Sequence, residues 1–202
     1  GLFTNAAPDR ACNWLSWDDG CAYAAWAGLR PMTELEYEKA CRGPANPVPN
    51  EYAWGTTAIV RQTGHSGTDG SGAETATAAS GTANCNYNNG ISGPVRAGIY
   101  ATATSTREQA GAGYWGILEL TGNLFERCKT VGNDAGRTFD GVHGTGALTD
   151  SGSAQNATWA NGMGRRGGGF SSNTVVSDRY LASHADNSRY FPFGFRCVRT
   201  AP

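Results

Sequence analysis

Thr33-Glu34-Leu35-Glu36-Tyr37-Glu38-Lys39-Ala40-Cys41-Arg42-Gly43 carries both ends of a helix in one short run. Thr33 and Glu36 stand at capping-box spacing, in which the hydroxyl accepts from the third helical N–H and the carboxylate reaches back to the cap's own N–H. Glu34 and Glu36 sit at the positive end of the helix dipole, Lys39 and Arg42 at the negative end, and Gly43 stops the turn. Upstream, Ser16 is placed to cap a second helix predicted over Trp17 to Ala27, with Asp18 and Asp19 early and Gly28 just past the end. Downstream the pattern changes. Gly64 to Gly93 and Asn133 to Gly164 are rich in Gly, Ser, Thr, Ala and Asn and read as loops. Short strands are predicted at Pro94 to Tyr100, Tyr114 to Leu120, Gly168 to Phe170 and Gly194 to Arg199. Helices first and strands later predict an α+β chain with small antiparallel sheets and much irregular loop. The last two strands are expected to share one sheet, with both helices packed outside it.

Composition narrows the function classes. The 202 residues carry 16 basic and 17 acidic side chains, a formal net charge of −1. Such a balance lacks the bulk attraction on which nucleic-acid coats and polybasic membrane proteins depend, so neither nucleic acid nor membrane insertion is expected. No apolar run approaches the ~20 residues of a membrane-spanning helix, and the first residues show no targeting pattern. Leu, Ile, Val and Phe together number only 28, while six Trp and eight Tyr supply large side chains, so the core is expected to be aromatic. Twenty-nine glycines mean many turns. Cys12, Cys21, Cys41, Cys85, Cys128 and Cys197 lack paired CxxC spacing, and their pattern leaves open both buried free thiols and up to three disulfides.

Several motif-like features carry no chemistry of their own. Gly111-Ala112-Gly113-Tyr114-Trp115-Gly116 matches GxGxxG without the preceding strand and following helix of a dinucleotide site, so it reads as a turn. His65, His143 and His184 are far apart in sequence and read as structural or surface residues. Arg165, Arg166, Arg179, Arg189, Arg196 and Arg199 gather near the end against only Asp178 and Asp186. In a loop-rich chain the expected use of such arginines is as five-donor hubs for backbone carbonyls.

Gly28-Leu29-Arg30-Pro31-Met32-Thr33-Glu34-Leu35-Glu36-Tyr37-Glu38, Gly116-Ile117-Leu118-Glu119-Leu120-Thr121-Gly122-Asn123-Leu124-Phe125-Glu126, Arg166-Gly167-Gly168-Gly169-Phe170 and Gly194-Phe195-Arg196 stand in this order. Together they resemble the formylglycine-generating-enzyme-like superfamily, a branch of the C-type lectin fold. The resemblance runs from Ser16 to Arg199 and implies one C-type-lectin-fold domain over 1–202, lacking the customary N-terminal strand segment. The enzymes of that superfamily hold copper with two cysteines after the Gly-Gly-x-aromatic motif, and the motif spacing puts those positions at Ser172 and Ser177. A neutral hydroxyl does not replace a thiolate toward a soft metal. A related branch uses non-haem iron held by histidines of a helical domain that has no counterpart here.

Another branch, the variable proteins of diversity-generating retroelements, is similar over Gly168 to Arg196, including Val176-Ser177-Asp178-Arg179. This resemblance implies a variable ligand-binding region over 168–199. Adenine-directed diversification cannot yield Lys, Gln, Glu, Trp or Met from Asn codons, and none of the five occurs between Ser171 and Gly194. The ligand-binding residues expected are Ser171, Ser172, Asn173, Tyr180, Leu181, His184, Asp186, Asn187, Tyr190, Phe191 and Phe193, a paratope-like mixture of aromatic anchors and adaptable polar groups clustered on one exposed face. The expected function is non-catalytic binding of a protein or cell-surface ligand by a surface-displayed or virion-associated protein. The alternatives are an oxidoreductase of the superfamily with altered metal ligands and a carbohydrate-binding lectin. No cofactor is required on the first reading. A structural calcium is expected by resemblance at Glu119, Gly122, Leu124 and Glu126.

Overall fold

The computed structural model describes residues 4–88, 91–173 and 175–201, without the side chain of Asn173. Helix α1 spans Trp17–Trp26 and α2 spans Glu34–Arg42, each behind a complete capping box, Ser16 with Asp19 and Thr33 with Glu36. Strand β1, Arg30–Pro31, lies between them. The later elements are β2 Gln62–Ser66, β3 Thr75–Ala78, β4 Glu126–Lys129, α3 Asp134–Arg137, β5 Met163–Arg166, β6 Gly168–Gly169, β7 Ser172–Asn173 and β8 Cys197–Val198. They pair as four two-stranded antiparallel sheets, β1 with β8, β2 with β3, β4 with β5 and β6 with β7. The architecture is α+β with extensive loop.

Several strand expectations are corrected. The ends predicted to share a sheet do not: β6 folds back on β7, while β8 returns across the molecule to β1, with Arg30 opposite Val198. Pro94 to Tyr100 is turn, held to the N-terminal segment by a bridge between Arg96 and Arg10. Tyr114 to Leu120 is also turn, because Gly116 and Glu119 take positive φ angles of 77° and 61° that no strand accommodates. The loop expected from Gly64 contains the β2–β3 hairpin, whose polar side chains leave no burial pattern to read.

The least expected element is the β4–β5 ladder, buried along its whole length although it contains Glu126, Arg127, Lys129, Arg165 and Arg166. Buried charges persist only when paired or hydrogen-bonded. Here Arg127 donates to the carbonyls of Asp186 and Ser188, and Lys129 to those of Thr158 and Asn161. Arg166 reaches Glu34 and Glu38, and Glu126 accepts from Arg196. On one side Met32, Tyr37, Cys41, Trp54, Cys85, Leu120 and Cys128 form an apolar cluster; Trp17, Cys21, Ala24, Trp159 and Met163 form another around α1. The large rings fulfil the expectation of an aromatic core. All six cysteines are free thiols.

Candidate functional site

The face built by 171–193 begins at the β6–β7 turn. Val176 is fully buried and its N–H donates to Glu51 O, which anchors the chain after β7. Beneath it lies a charge cluster. Glu34, 1% exposed, accepts from Arg166 Nη1 at 2.9 Å, Arg179 Nη1 at 2.8 Å, Thr130 Oγ1 at 3.1 Å and the Val131 N–H at 2.6 Å. Glu38, one turn further along α2, accepts from Arg166 Nη2 at 2.8 Å and Arg179 Nη2 at 3.0 Å. Two acids on one helix face thus hold two arginines from the C-terminal third. The i, i+4 spacing of Glu34 and Glu38 was the signal for this cluster in the sequence, but their arginine partners are more than a hundred residues away.

Beyond Arg179 the backbone is tied down at intervals. Arg165 N–H donates to Leu181 O at 2.9 Å, and β5 passes so close to this segment that a Cβ on Gly164 would lie 1.7 Å from Ala182 O. Glycine is therefore required there for steric reasons. Arg127 holds the carbonyls of Asp186 and Ser188, at the expense of burial that lowers its own pKa to about 10. Asn187 and Asp18 exchange two hydrogen bonds, and Arg189 grips both oxygens of Asp19, whose carboxyl is held well below its ordinary range by that guanidinium. Asp18, Asp19, Ser151, Ser153, Asn187 and Arg189 line an open polar cleft of about 540 Å³.

Of the eleven expected ligand-binding residues, Ser171, Tyr180, His184, Asn187 and Tyr190 are exposed, Tyr180 to 88% and Tyr190 to 48%. Ser172, Leu181, Asp186 and Phe191 are half-buried. The side chain of Asn173 lies outside the described residues. Phe193 departs from the expectation: it is 2% exposed, with the guanidinium carbons of Arg165 and Arg127 lying 4.4 and 4.5 Å from its ring centroid. The face of that ring offsets part of the desolvation cost of two buried arginines, and the residue belongs to the interior. His184 is tied to Arg165 through Nδ1 at 2.8 Å, and Tyr190 packs against Trp14 and Phe191.

Ser172 stands on β7, while Ser177 is exposed in the turn that follows Val176. Two hydroxyls at these positions do not fit copper, which needs thiolate there. Cys41 and Cys85 are fully buried, and burial pushes their thiols up to about 12.

Three of the four residues expected to hold calcium line one cavity. Glu119, Leu124 and Glu126 line a cavity of about 230 Å³ with Asn123 and Arg196. Gly122 lies on the intervening loop and gives its N–H to Gly167 O. Glu119 adopts φ 61° and is held there by the Gly98 N–H on Oε1 at 2.6 Å and Asn123 Nδ2 on Oε2 at 3.1 Å. Burial pushes its carboxyl up to about 7. Glu126 Oε1 accepts from Arg196 at 3.0 and 2.8 Å. The two carboxylates share this cavity with the Arg196 guanidinium, which pairs with Glu126.

The chain matches the Sulfatase-modifying factor enzyme 1-like domain family over residues 5–201. It is 41% identical over 59 residues to the hercynine oxygenase of Mycolicibacterium thermoresistibile, a stretch covering 29% of this chain and 13% of that protein. It is 45% identical over 47 residues to the formylglycine-generating enzyme of Thermomonospora curvata, covering 23% and 15%, and 51% identical over 41 residues to that of Streptomyces coelicolor, covering 20% and 12%. The matched stretches thus span less than a sixth of these relatives. The named relatives are enzymes, which overturns the expectation of a non-catalytic protein.

Proposed function

Because the chain belongs to the Sulfatase-modifying factor enzyme 1-like domain family, we propose that it is a formylglycine-generating-enzyme-like oxidoreductase whose metal ligands have changed. The observation that carries this reading is the match across 5–201, which includes Arg166-Gly167-Gly168-Gly169-Phe170 leading into the β6–β7 turn. Ser172 and Ser177 there are neutral donors and acceptors, suited to orienting a polar substrate group. No step is assigned to copper, which the two hydroxyls do not fit. Any redox metal is held by other donors, and Arg166 and Arg179, fixed by Glu34 and Glu38, keep the turn in position.

The test is uptake of copper and iron by the purified protein, with oxygen consumption measured on a thiol substrate. Stoichiometric metal and oxygen uptake support the reading. Neither metal bound and no oxygen consumed, in protein whose Ser172→Cys, Ser177→Cys double variant does bind Cu(I), would overturn it.

A second reading takes the same face as the diversified ligand-display surface of a retroelement variable protein on a C-type lectin fold, directed at a protein or cell-surface ligand. One observation favours it: Tyr180, His184, Asn187 and Tyr190 are exposed on a backbone whose carbonyls at 181, 186 and 188 accept from Arg165 and Arg127. Such a surface tolerates exchange of side chains without loss of the fold. Its test is binding selection with a library varied at these four positions. A library that folds and yields specific binders supports it, and general unfolding counts against it.

A further inference from the structure

We propose a divalent transition-metal site at the β2–β3 hairpin, formed by His65, Asp69 and Glu74. One ligand atom from each lies within 4.8 Å of the other two. The hairpin explains the convergence, since His65 is on β2, opposite Ala76 on β3, and Asp69 and Glu74 belong to the connection. This cluster is remote in sequence from the face built by 171–193 and from Glu119 and Glu126, and the inference does not rest on the proposed function.

The decisive residue is Glu74. Its side chain is completely buried, yet Oε1 has no hydrogen-bond partner among the described residues. A buried carboxylate oxygen without a partner is costly. The other oxygen, Oε2, is satisfied by the Gly70 N–H at 2.6 Å and faces Arg10 Nη2 at 3.5 Å. Arg10 also pairs with Asp69 Oδ1, and the same oxygen lies 3.5 Å from His65 Nε2. Asp69 and Glu74 share the Arg10 guanidinium, while Arg96 Nε donates to the Glu74 carbonyl, which leaves one unpartnered buried carboxylate oxygen and one imidazole at the rim. A cation held by His65, Asp69 and Glu74 would give the buried carboxylate a further partner.

The donor set selects the ion. One imidazole nitrogen and two carboxylate oxygens suit zinc and its neighbours better than calcium, which prefers oxygen alone. Ligand atoms around tetrahedral zinc stand about 3.4 Å apart, from bond lengths of about 2.1 Å. The hairpin connection therefore closes by about an ångström on binding, and three protein ligands leave a coordination position for water or another small ligand. Arg10 stays in place through Nη1, which donates to Pro94 O at 2.6 Å, but it competes with the metal for Asp69.

The experiment is titration of the metal-free full chain with Zn2+, followed by calorimetry, with Co2+ as a spectroscopic probe of nitrogen and oxygen ligation. One equivalent is expected, with an accompanying rise in melting temperature. His65 is partly exposed and its side chain is hydrogen-bonded to no core group among the described residues, so His65→Ala is expected to leave the fold intact; it should weaken binding by more than the roughly 10–100-fold typical of losing an outer-sphere partner. Asp69→Asn should do the same. Arg10→Gln should tighten binding, because the competitor is removed, whereas a purely structural Arg10 would give no gain. Binding that is absent in the wild-type chain, or unchanged in both His65→Ala and Asp69→Asn, would overturn the proposal by showing that zinc attaches elsewhere or only adventitiously.

Discussion

Removing Glu34 tests whether buried charge pairing organises the C-terminal third. Its carboxylate is 1% exposed and takes four hydrogen bonds, two of them from guanidinium groups. Glu34→Leu leaves Arg166, itself buried, with Glu38 and the Val176 carbonyl alone, and strips the Val131 N–H of its partner. Breaking a buried pair on one side costs about 3–5 kcal/mol. For a chain of this size that is a fall in melting temperature of roughly 6–20 °C, at about 2–4 °C per kcal/mol. Arg179→Ala removes a half-exposed partner of the same carboxylate, and should cost no more than about 1 kcal/mol. Adding Arg166→Met to Glu34→Leu should recover much of the loss, because an apolar pair of similar volume dispenses with the uncompensated charge. Urea unfolding followed by tryptophan fluorescence measures these variants, the Arg166→Met single variant and the wild-type chain. If Glu34→Leu costs less than about 1 kcal/mol, or if the double variant is less stable than either single one, the cluster does not act as a paired unit.

Glu119 keeps its proton to about pH 7 when folded, against an ordinary 4.5. Its contribution to stability is therefore complete below about 4.5 and declines as pH rises through 7, at no more than about 1.4 kcal/mol per unit. Glu119→Gln should flatten that decline in a series of melting curves. Calcium, by favouring the ionised carboxylate, should stabilise the native chain more at pH 8 than at pH 5, and no calcium-dependent shift at either pH would reject the ion. Phe193→Ala should cost about 3–5 kcal/mol and Tyr180→Ala within about 0.5 kcal/mol by denaturant unfolding, since one ring is enclosed and the other is 88% exposed. Cys12 is the exposed thiol, whereas burial raises Cys197 to about 11 and Cys41 and Cys85 to about 12, so a disulfide-exchange reagent should label one thiol per native chain rapidly. Fast labelling of several would show that the native chain opens readily.

Helices α1 and α2 were legible because every signal for them is local: cap, dipole charges and stop lie within one run of sequence. The ladder β4–β5 was not, because Glu126-Arg127-Cys128-Lys129 and Met163-Gly164-Arg165-Arg166 show neither alternation nor an apolar run. Their burial is made tolerable by partners distant in sequence, such as Glu34 for Arg166 and Asp186 O for Arg127. Local periodicity cannot report a strand whose stabilising groups come from elsewhere. Tyr114 to Leu120 failed in the opposite sense: its apolar spacing suggests a strand, but Gly116 and Glu119 turn the backbone to positive φ.

The same contrast explains the site. Its motifs could be read because glycines and paired acids stand at fixed spacings, whereas the orientation of each side chain depended on contacts made across the chain. Phe193 shows why. In sequence Tyr190-Phe191-Pro192-Phe193 is one aromatic cluster, but Phe125 N–H takes Pro192 O and Gly194 N–H takes Phe125 O, which turns the last ring inward onto Arg127 and Arg165. Tyr190, only three residues earlier, stays at the surface against Trp14. The division of labour follows from the hydrogen bonds: Arg127, rooted in the β4–β5 ladder, holds the carbonyls of 186 and 188 from inside, Asn187 and His184 tie the segment to Asp18 and Arg165, and the 88% exposed Tyr180 side chain contributes little to holding the backbone. Substitution at Tyr180 therefore alters the surface alone, while changes at Arg127, Arg165, Arg166 or Phe193 act on the fold that presents it.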